Sequence, residues 1–586
     1  MTHLQAWPVP GYPGTMRDRA CRKLSGLLLA VAVLAGFAAF AGDARAAGAP
    51  TPTRTDPNAL VRPERMDQAP PGRRLTGNQA AAIAARVPKI VAERRRHPGS
   101  FSNVFLKGPG RWQVSFYDRS KPAKEIAQAY VDDATARVTE AWTGPQVAWT
   151  MARGYPGAFG RKVNSPWVWI PLTLLFLAPF VDVRRPLRML HLDLLVLCAF
   201  GVSVAFFNDA NIDVSVPLAY PLLVYLLGRM LWIGIRRGDR AGRERLHLNV
   251  PVTWLAVALV FLLGFRVGLN VTNSNVIDVG YAGVIGADHL AGGHALWNQF
   301  PADNQHGDTY GPVAYAAYVP AEQAFGWSGR WDDLPAAHAA AIAFDAACML
   351  LLWLIGRRIR GPGLGVVLAY AWAAFPFTLY ALDTNVNDAL VAALVLGALW
   401  TAGSPAGRGT FVALAGMAKF APLALAPLFA TQGPRRGIRS FAVAFGAVVA
   451  ACLLVVVAYG GLGAFYDRTL GFQASRGSPF SVWGLYGWTT AQTIVQSAAV
   501  VLAVAVALVP RRRDVVGLGA LSAAVLIALQ LGITHWFYLY IVWFFGPIMV
   551  ALLGRHVDPE ALTRPAAATA RAPAPPHRPA APASIG

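Results

Sequence analysis

A polar segment between two long apolar runs carries the side chains best suited to chemistry. Residues 271–335 include five such groups: Asp278, Asp288, His306, Asp308 and Tyr310. A carboxylate beside a bilayer is costly to keep, so it usually has a function. Asp278 can act as a general base that takes a proton from a hydroxyl group. It also precedes the helix-like apolar spacing of residues 279–292, where an Asp commonly caps a helix. One residue can do both.

Asp288 lies ten residues after Asp278. If one helix holds both residues, a rise of 1.5 Å per residue separates the two carboxylates by about 15 Å along the axis. They then cannot form a tight acid/base pair. Because Asp278 lies nearer the lipid boundary, we expect it to be the base, with Asp288 as the second catalytic candidate.

His306 and Asp308 follow in a stretch rich in Gly and Pro that leads to Tyr310. Imidazole and carboxylate groups two residues apart can ligate a divalent cation or a metal-bound phosphate, although two ligands alone do not make a site. A turn that positions Tyr310 explains the same residues equally well. We expect this stretch to contact the substrate in either case.

A second polar cluster follows an apolar run at Asp383, Asn387 and Asp388. These side chains can hydrogen-bond a polar substrate beside the first site. Asn and Asp also cap helices at the start of a span, which explains the same cluster without a ligand.

Basic groups recur near the same membrane face. Lys419 lies within an apolar hairpin, where a lysine is costly unless it snorkels or pairs with an anion. If the tip of that hairpin faces outward, Lys419 could meet a lipid phosphate, and Arg468 and Arg476 in a later polar loop could hold one through a bidentate fork. Anchoring among lipid headgroups is the alternative for both arginines. His535 returns to the same face, where a lone His is more often structural than catalytic.

One further acid, Asp345, lies inside a predicted span. An intramembrane carboxylate suggests either a proton relay or an ion pair with a neighbouring helix. The residues leave both interpretations open.

Long apolar runs must position these groups. Hydrophobic residues make up 55% of the chain and the mean hydropathy is +0.41. A span needs about 20 residues to cross a ~30 Å hydrocarbon core. The runs predict a mainly α, polytopic helix bundle over residues 163–556, with thirteen crossings at the following positions: 165–182, 188–207, 213–235, 250–270, 336–357, 363–381, 387–403, a broken pair at 408–431, 440–460, 488–509, 514–533 and 536–553.

The net charge of +21 would suggest a nucleic-acid partner in a soluble protein. Here the arginines cluster in alternate short loops, as cytoplasmic loops do during insertion. The clusters lie at 184–188, 236–245, 357–360, 435–439 and 511–513. We therefore expect no nucleic-acid partner, a cytoplasmic-membrane location, and a polar site on the extracytoplasmic face.

The N-terminal part has a different composition. Residues 1–47 resemble a secretory signal peptide or anchor, and the Pro-rich residues 48–75 predict a linker. Residues 76–160 predict a small exported α+β domain: a helical run to Arg96, strands at 101–106 and 111–118, a short helix, and a hairpin at 129–142. This layout and its ending YVDDATARVTEAWTG resemble PepSY-like domains, which implies partner binding and no catalytic set. Residues 557–586 predict a disordered cytoplasmic tail.

Residues 250–553 resemble a known family. The stretches SNVIDVGYAGVIGADHLAGG, HGDTYGPVAYAAYVP, LDTNVNDAL, GMAKFAPLALAPLF and FQASRGSPFSVWG together look like the GT-C superfamily of polyprenyl-phosphate-sugar-dependent glycosyltransferases. The branch that uses polyprenol-phosphate mannose is the most similar. The resemblance implies a catalytic Asp in the first outer loop, which maps to Asp278, together with inversion at the anomeric carbon and a lipid-phosphate leaving group.

Three function hypotheses follow. The first is a membrane enzyme that moves a sugar, with mannose as one candidate, from a lipid-linked donor to a glycan, lipid or protein acceptor, with a divalent metal as a further candidate ligand. The second is a transporter or flippase of a lipid-linked sugar, which would use Asp345, Lys419 and the outer carboxylates as a path. Transporters often show internal repeats, and none is visible here. The third is a non-catalytic envelope sensor or scaffold that works through the PepSY-like domain.

Overall fold

The structure, a computed structural model, describes residues 60–154, 159–236, 246–509 and 511–555. The predicted signal segment, most of the basic loop at 236–245 and the predicted tail lie outside the described residues. Within them the chain forms a polytopic helix bundle joined to a small α+β domain, which confirms the predicted fold class.

The α+β domain contains one antiparallel sheet with the strands in sequential order. The strands are β1 (Leu60–Val61), β2 (Phe101–Lys107), β3 (Arg111–Tyr117), β4 (Glu125–Asp132) and β5 (Val138–Thr143). Two helices, α1 (Gly77–Ala85) and α2 (Pro88–Arg96), cover one face. The predicted helical run is broken before Pro88, because proline has no N–H to continue the hydrogen-bond ladder. Trp112, Val114 and Phe116 are buried in the core of this domain.

Two details differ from the prediction. The short helix expected between β3 and β4 is a turn, because the Asp118 side chain accepts hydrogen bonds from the backbone N–H groups of Ser120 (3.1 Å) and Lys124 (2.8 Å). The sheet also extends into the range predicted as a linker, since β1 pairs with β2.

The bundle contains long and short helices. The longer ones are α3 (Pro166–Leu177), α4 (Met189–Asn208), α5 (Ile212–Ile235), α6 (Val252–Asn273), α7 (Asp278–Gly292), α8 (Pro335–Arg360), α9 (Pro362–Ala374), α10 (Pro376–Asp383), α11 (Asp388–Trp400), α12 (Pro405–Ala418), α13 (Gly437–Ala458), α14 (Thr489–Leu508), α15 (Val515–Gly532) and α16 (Ile541–Leu553). Short helical segments lie at Pro145–Ala148, Thr150–Arg153, Arg161–Asn164, Ala302–Asn304, Pro312–Ala316, Val319–Phe325, Ala421–Leu425, Ala426–Ala430, Gly461–Tyr466, Asp467–Gly471, Phe472–Ser475, Val482–Tyr486 and Tyr538–Tyr540.

Fewer helices than the thirteen predicted crossings are long enough to span a membrane alone. Among the described residues, seven helices are long and apolar enough to cross a membrane. The pair α9 and α10, bent by 59°, makes an eighth if it counts as one span. The other predicted crossings are shorter apolar helices. A 13-residue helix such as α11 is only about 20 Å long, less than the ~30 Å hydrocarbon core. Neighbouring helices bury α11 almost completely, so it need not meet lipid along its length.

The arginine-bearing helix ends meet at one end of the bundle, which we call the basic end. Arg360 donates from Nε to the Gly554 carbonyl (3.0 Å), and Arg358 donates to the Trp400 carbonyl (2.6 Å). Arg511 donates to the Thr431 hydroxyl (2.9 Å). The described arginines of the 357–360 and 511–513 clusters therefore each lie against the ends of other helical segments. The opposite end is the cleft end.

An ion pair lies in the interior of the bundle. Arg266 of α6 contacts Asp345 of α8 through Nη2 (2.5 Å) and Nε (2.9 Å), and both side chains are buried. Trp372 donates its indole N–H to the same carboxylate (2.7 Å). Of the two interpretations of Asp345, the structure supports pairing with a neighbouring helix.

Candidate active site

Helix α7 carries Asp278 at its first turn, as the apolar spacing predicted. The residue before it, Ile277, occupies the cap position, so Asp278 is a first-turn acid rather than the cap. The Ile277 N–H donates to the Thr384 carbonyl (3.3 Å), which holds the start of α7 on the turn between α10 and α11. A Cβ on Gly280 would lie 2.2 Å from the Asn385 carbonyl oxygen, so only glycine permits this close approach.

The Asp278 carboxylate is open to water and at the same time deeply surrounded by protein. The residue is exposed, yet burial is the main cause that raises the pKa of its carboxyl group above the ordinary value. Arg476 and Lys419 lie near enough for their charges to act in the opposite direction. We use the term cleft for the region around Asp278, Lys419 and Arg476 at this end of the bundle.

Asp288 does not share the cleft with Asp278. Both residues lie on the single helix α7, so the axial rise of about 15 Å keeps them apart. Burial raises the pKa of Asp288, and the neighbouring His294 acts in the opposite direction. The expectation that the two carboxylates form no tight pair is confirmed.

Lys419 lies in the break after α12 and is held in a box of aromatic rings. Its ammonium nitrogen is 2.7 Å from Asp388 Oδ1, and Trp543 donates to the same oxygen (2.8 Å). The nitrogen lies 5.3 Å from the ring centre of Tyr310, 5.6 Å from that of Tyr540 and 5.4 Å from that of Trp543. A buried carboxylate and three rings stabilise the cation. Asp388 is thus the anion that a lysine in an apolar hairpin requires.

Tyr310 links this lysine box to Asp278. The Gly311 N–H donates to the Ala418 carbonyl (3.2 Å), which fixes the loop beside Lys419. Burial raises the pKa of the Tyr310 hydroxyl, and the charge of Asp278 adds to the effect. The prediction that a turn positions Tyr310 agrees with this placement.

Arg476 contacts aromatic rings rather than a carboxylate among the described residues. Its Cζ lies 5.2 Å from the ring centre of Trp149 and 5.7 Å from that of Phe472. The guanidinium makes no hydrogen bond or ion pair with any residue that the structure describes. Its charge acts on Asp278, and its five N–H donors have no carboxylate acceptor among the described residues.

His535 lines the same region as a neutral ring. Burial, with Arg476 second, lowers the pKa of its imidazole to about 3. Its Nδ1 lies 3.0 Å from the Ser478 hydroxyl, and its ring packs against Trp149. His535 therefore has no positive charge to offer a phosphate near neutral pH, and its contacts are structural.

Arg468 is paired rather than free. It contacts both carboxylate oxygens of Asp308 at 2.7 Å and also the Gln305 carbonyl. Since Asp308 is fully buried and both its oxygens are used, it is not a metal ligand in this arrangement, contrary to the cation hypothesis for His306 and Asp308. His306 is exposed and stacks on Phe472 at 4.9 Å. Among the described residues no three His, Cys, Asp or Glu side chains gather as a metal site.

The Asp308–Arg468 pair predicts a specific pattern of mutant effects. Asp308→Ala and Arg468→Ala should lower the melting temperature by similar amounts, and the double variant should lower it no further, because each change removes the same pair. Differential scanning fluorimetry of the three variants measures this. Binding of a donor phosphate by Arg468 would instead raise the donor KM far more for Arg468→Ala than for Asp308→Ala.

Asp383 and Asn387 lie behind the cleft. Both side chains are buried, and the Asn387 side chain finds no hydrogen-bond partner among the described residues. Neither has an exposed surface with which to touch a substrate, so direct substrate contact, as the sequence suggested, does not occur in this conformation. Their backbone supports the site instead: the Asp383 carbonyl accepts the Asn275 N–H (3.1 Å) next to the start of α7.

Three residues of the site were missed from the sequence: Trp149, Tyr540 and Trp543. Tyr540 and Trp543 lie one helical turn apart in an aromatic-rich stretch, which looked like ordinary core packing. No signal in the sequence connects Trp149 with residues 327 positions later, such as Arg476.

A cavity of about 670 Å³ also opens at the basic end, lined by Arg184, Arg185, Arg188 and His247. It lies away from every predicted catalytic residue. Its arginines belong to the loops that carry the topology signal, and we assign it no part in the chemistry.

Residues 309–554 match the family model of Glycosyltransferase family 87. The matched region includes Tyr310, Asp388, Lys419 and Arg476, and it begins after Asp278. No curated protein sequence matches the chain. The apolar helices make this a multi-pass membrane protein, and the family match indicates that it is a membrane glycosyltransferase.

Proposed function

We propose that this chain is an inverting glycosyltransferase of the GT-C type that takes its sugar from a polyprenyl-phosphate carrier. One observation supports this most directly: the charge of Arg476 acts on the exposed Asp278, and Arg476 has no carboxylate partner among the described residues. A base for the acceptor and a cation for the leaving phosphate are the two groups that such a transfer needs. Mannose is the candidate sugar, and an envelope glycan, lipid or protein is the acceptor.

In the proposed reaction, the acceptor hydroxyl gives its proton to Asp278 as its oxygen attacks the anomeric carbon. The bond between that carbon and the phosphate oxygen breaks, and the polyprenyl phosphate leaves with the electron pair. Attack opposite to the leaving group inverts the configuration. Arg476 stabilises the negative charge on the phosphate, while Lys419, held by Asp388, adds a second positive charge nearby.

The orientation in the membrane is part of the proposal. Arginine-rich loops are retained on the cytoplasmic side, and Arg358 and Arg360 lie at the basic end of this bundle. The cleft lies at the other end, so we place the reaction at the extracytoplasmic surface of the cytoplasmic membrane. There the lipid carrier can present its phosphate from the outer leaflet.

A transfer assay tests the proposal. Purified protein in nanodiscs is supplied with polyprenyl-phosphate mannose, polyprenyl-phosphate glucose and envelope extracts, and glycosylated products are identified by mass spectrometry. Transfer from at least one donor is expected. Movement of the donor across proteoliposomes without any product would instead support the transporter hypothesis.

The pH dependence of transfer should report the raised pKa of Asp278. The base works only when deprotonated, so kcat/KM should fall as the pH decreases through a value above about 4, the ordinary pKa of Asp. Arg476→Gln removes a charge that lowers this pKa, so the acid limb should shift to higher pH. Arg439→Gln, at the basic end, is the matched control and should leave the limb in place. An acid limb unchanged in Arg476→Gln would contradict the assignment.

A further inference from the structure

The segment that follows β5 fastens the α+β domain to the cleft end of the bundle. Gln146 donates from Nε2 to the carbonyls of Ala152 (2.9 Å) and Ala210 (2.8 Å), so it bridges the segment and the turn between α4 and α5. A Cβ on Gly154, at φ +62°, would lie 2.4 Å from the Ala210 nitrogen. Backbone contact this close leaves no room for water, so the junction is packed rather than loose.

The same segment is tied equally well to the sheet of its own domain. Arg153 is buried and donates to the Gln128 side chain of β4 (2.8 Å) and to the Gln146 and Val147 carbonyls (both 2.9 Å). The sheet, the segment and the turn at Ala210 are therefore linked by hydrogen bonds, which fixes the position of the segment on the bundle.

Further along, the segment reaches the loop that precedes Asp278. The Gly160 N–H donates to Asn275 Oδ1 (2.7 Å), and the Lys162 N–H donates to Asn273 Oδ1 (3.2 Å). These two asparagines close α6 just before α7 begins. The position of the catalytic helix therefore depends in part on the N-terminal segment.

Trp149, in this segment, lies beside the cleft residues Arg476 and His535. Its ring lies 5.2 Å from the Arg476 guanidinium carbon, 5.5 Å from the His535 ring and 5.3 Å from the Phe480 ring. Phe472 approaches the same guanidinium at 5.7 Å. Arg476 has no carboxylate partner among the described residues, so these two rings are what orient it.

We propose that the α+β domain is a working part of the active site, in which Trp149 is a positioning residue that orients Arg476 toward the phosphate of the lipid donor. This inference rests on the proposed function. It differs from the role of a separate partner-binding module, because the domain acts on the substrate site of its own chain.

Substitution of Trp149 tests the inference with the full-length protein in nanodiscs. Trp149→Leu keeps apolar bulk but removes the ring that faces the guanidinium. We expect binding of polyprenyl phosphate alone to weaken about tenfold and the donor KM to rise by a similar factor, with kcat changed less than about threefold. Trp149→Phe keeps a ring and should restore most of the affinity. Trp167→Leu, at a tryptophan that is 89% exposed on α3, is the matched control.

The outcomes separate this inference from the proposed reaction. A wild-type protein that binds polyprenyl phosphate in a Trp149-dependent way but transfers no sugar would overturn the reaction and uphold the role of Trp149. Equal affinities of Trp149→Leu and Trp167→Leu would overturn the positioning role while transfer persisted. A lower kcat at unchanged KM would also overturn it, since that pattern indicates a general structural loss.

Discussion

Asp278→Asn is expected to reduce sugar transfer by at least about 100-fold, because general-base catalysis contributes a factor of roughly 10² to 10⁴. The amide keeps the size of the side chain and cannot accept the proton. Binding of polyprenyl phosphate should persist, since Arg476 and Lys419 remain in place. Transfer is measured from polyprenyl-phosphate sugar by product formation, and binding is measured with the phosphate lipid alone.

Asp288→Asn is the matched control for this experiment. It lies on the same helix and undergoes the same chemical change, but it lies about 15 Å along the axis from the cleft. We expect its transfer rate to stay within a few-fold of wild type. Retained transfer by Asp278→Asn would remove that residue from the mechanism, and loss of transfer only in Asp288→Asn would make Asp288 the base.

Asp345→Ala is expected to reduce the free energy of unfolding by about 3–5 kcal/mol, the usual cost of leaving a buried charge without its partner. The variant leaves the buried Arg266, which is 1% exposed, without its carboxylate partner. It also removes the acceptor of the Trp372 indole N–H. Unfolding of the detergent-solubilised protein, followed by its melting temperature and by SDS titration, measures the loss.

The exposed pair of Arg65 and Asp67 offers the comparison. Its two groups are 2.9 Å apart, and both side chains are more than half exposed. Asp67→Ala should produce no measurable change, since water solvates Arg65 equally well. If Asp345→Ala were as stable as wild type but inactive, the result would contradict the structural role of the ion pair and support a proton relay through Asp345.

The proposed site draws its groups from distant segments of the chain. Asp278 comes from the first large loop, Lys419 from a broken helix and Arg476 from a later loop, and Trp149 comes from outside the bundle. A local feature positions each group. Gly280 allows the helix that carries Asp278 to approach its neighbour, aromatic rings surround Lys419, and two rings lie beside Arg476. Loss of any one support should therefore alter the site without breaking the fold.

Sequence patterns specified the elements because their signals are local. Apolar run length indicated the helices, and period-two alternation at Trp112, Val114 and Phe116 indicated a strand. The start of α7 at Asp278 followed from the spacing of apolar residues after it. The crossing count was less secure, because run length does not distinguish a span from a short helix buried among others.

Partner choice could be decided only by the tertiary structure. The sequence predicted that acids and bases lie at one membrane face. It could not show that Arg468 pairs with Asp308 while Arg476 has no carboxylate partner among the described residues, or that Lys419 pairs with Asp388. It also could not show that Trp149 reaches the cleft. An ion pair depends on distances of a few ångströms between segments far apart in the chain, and those distances exist only after the helices have packed.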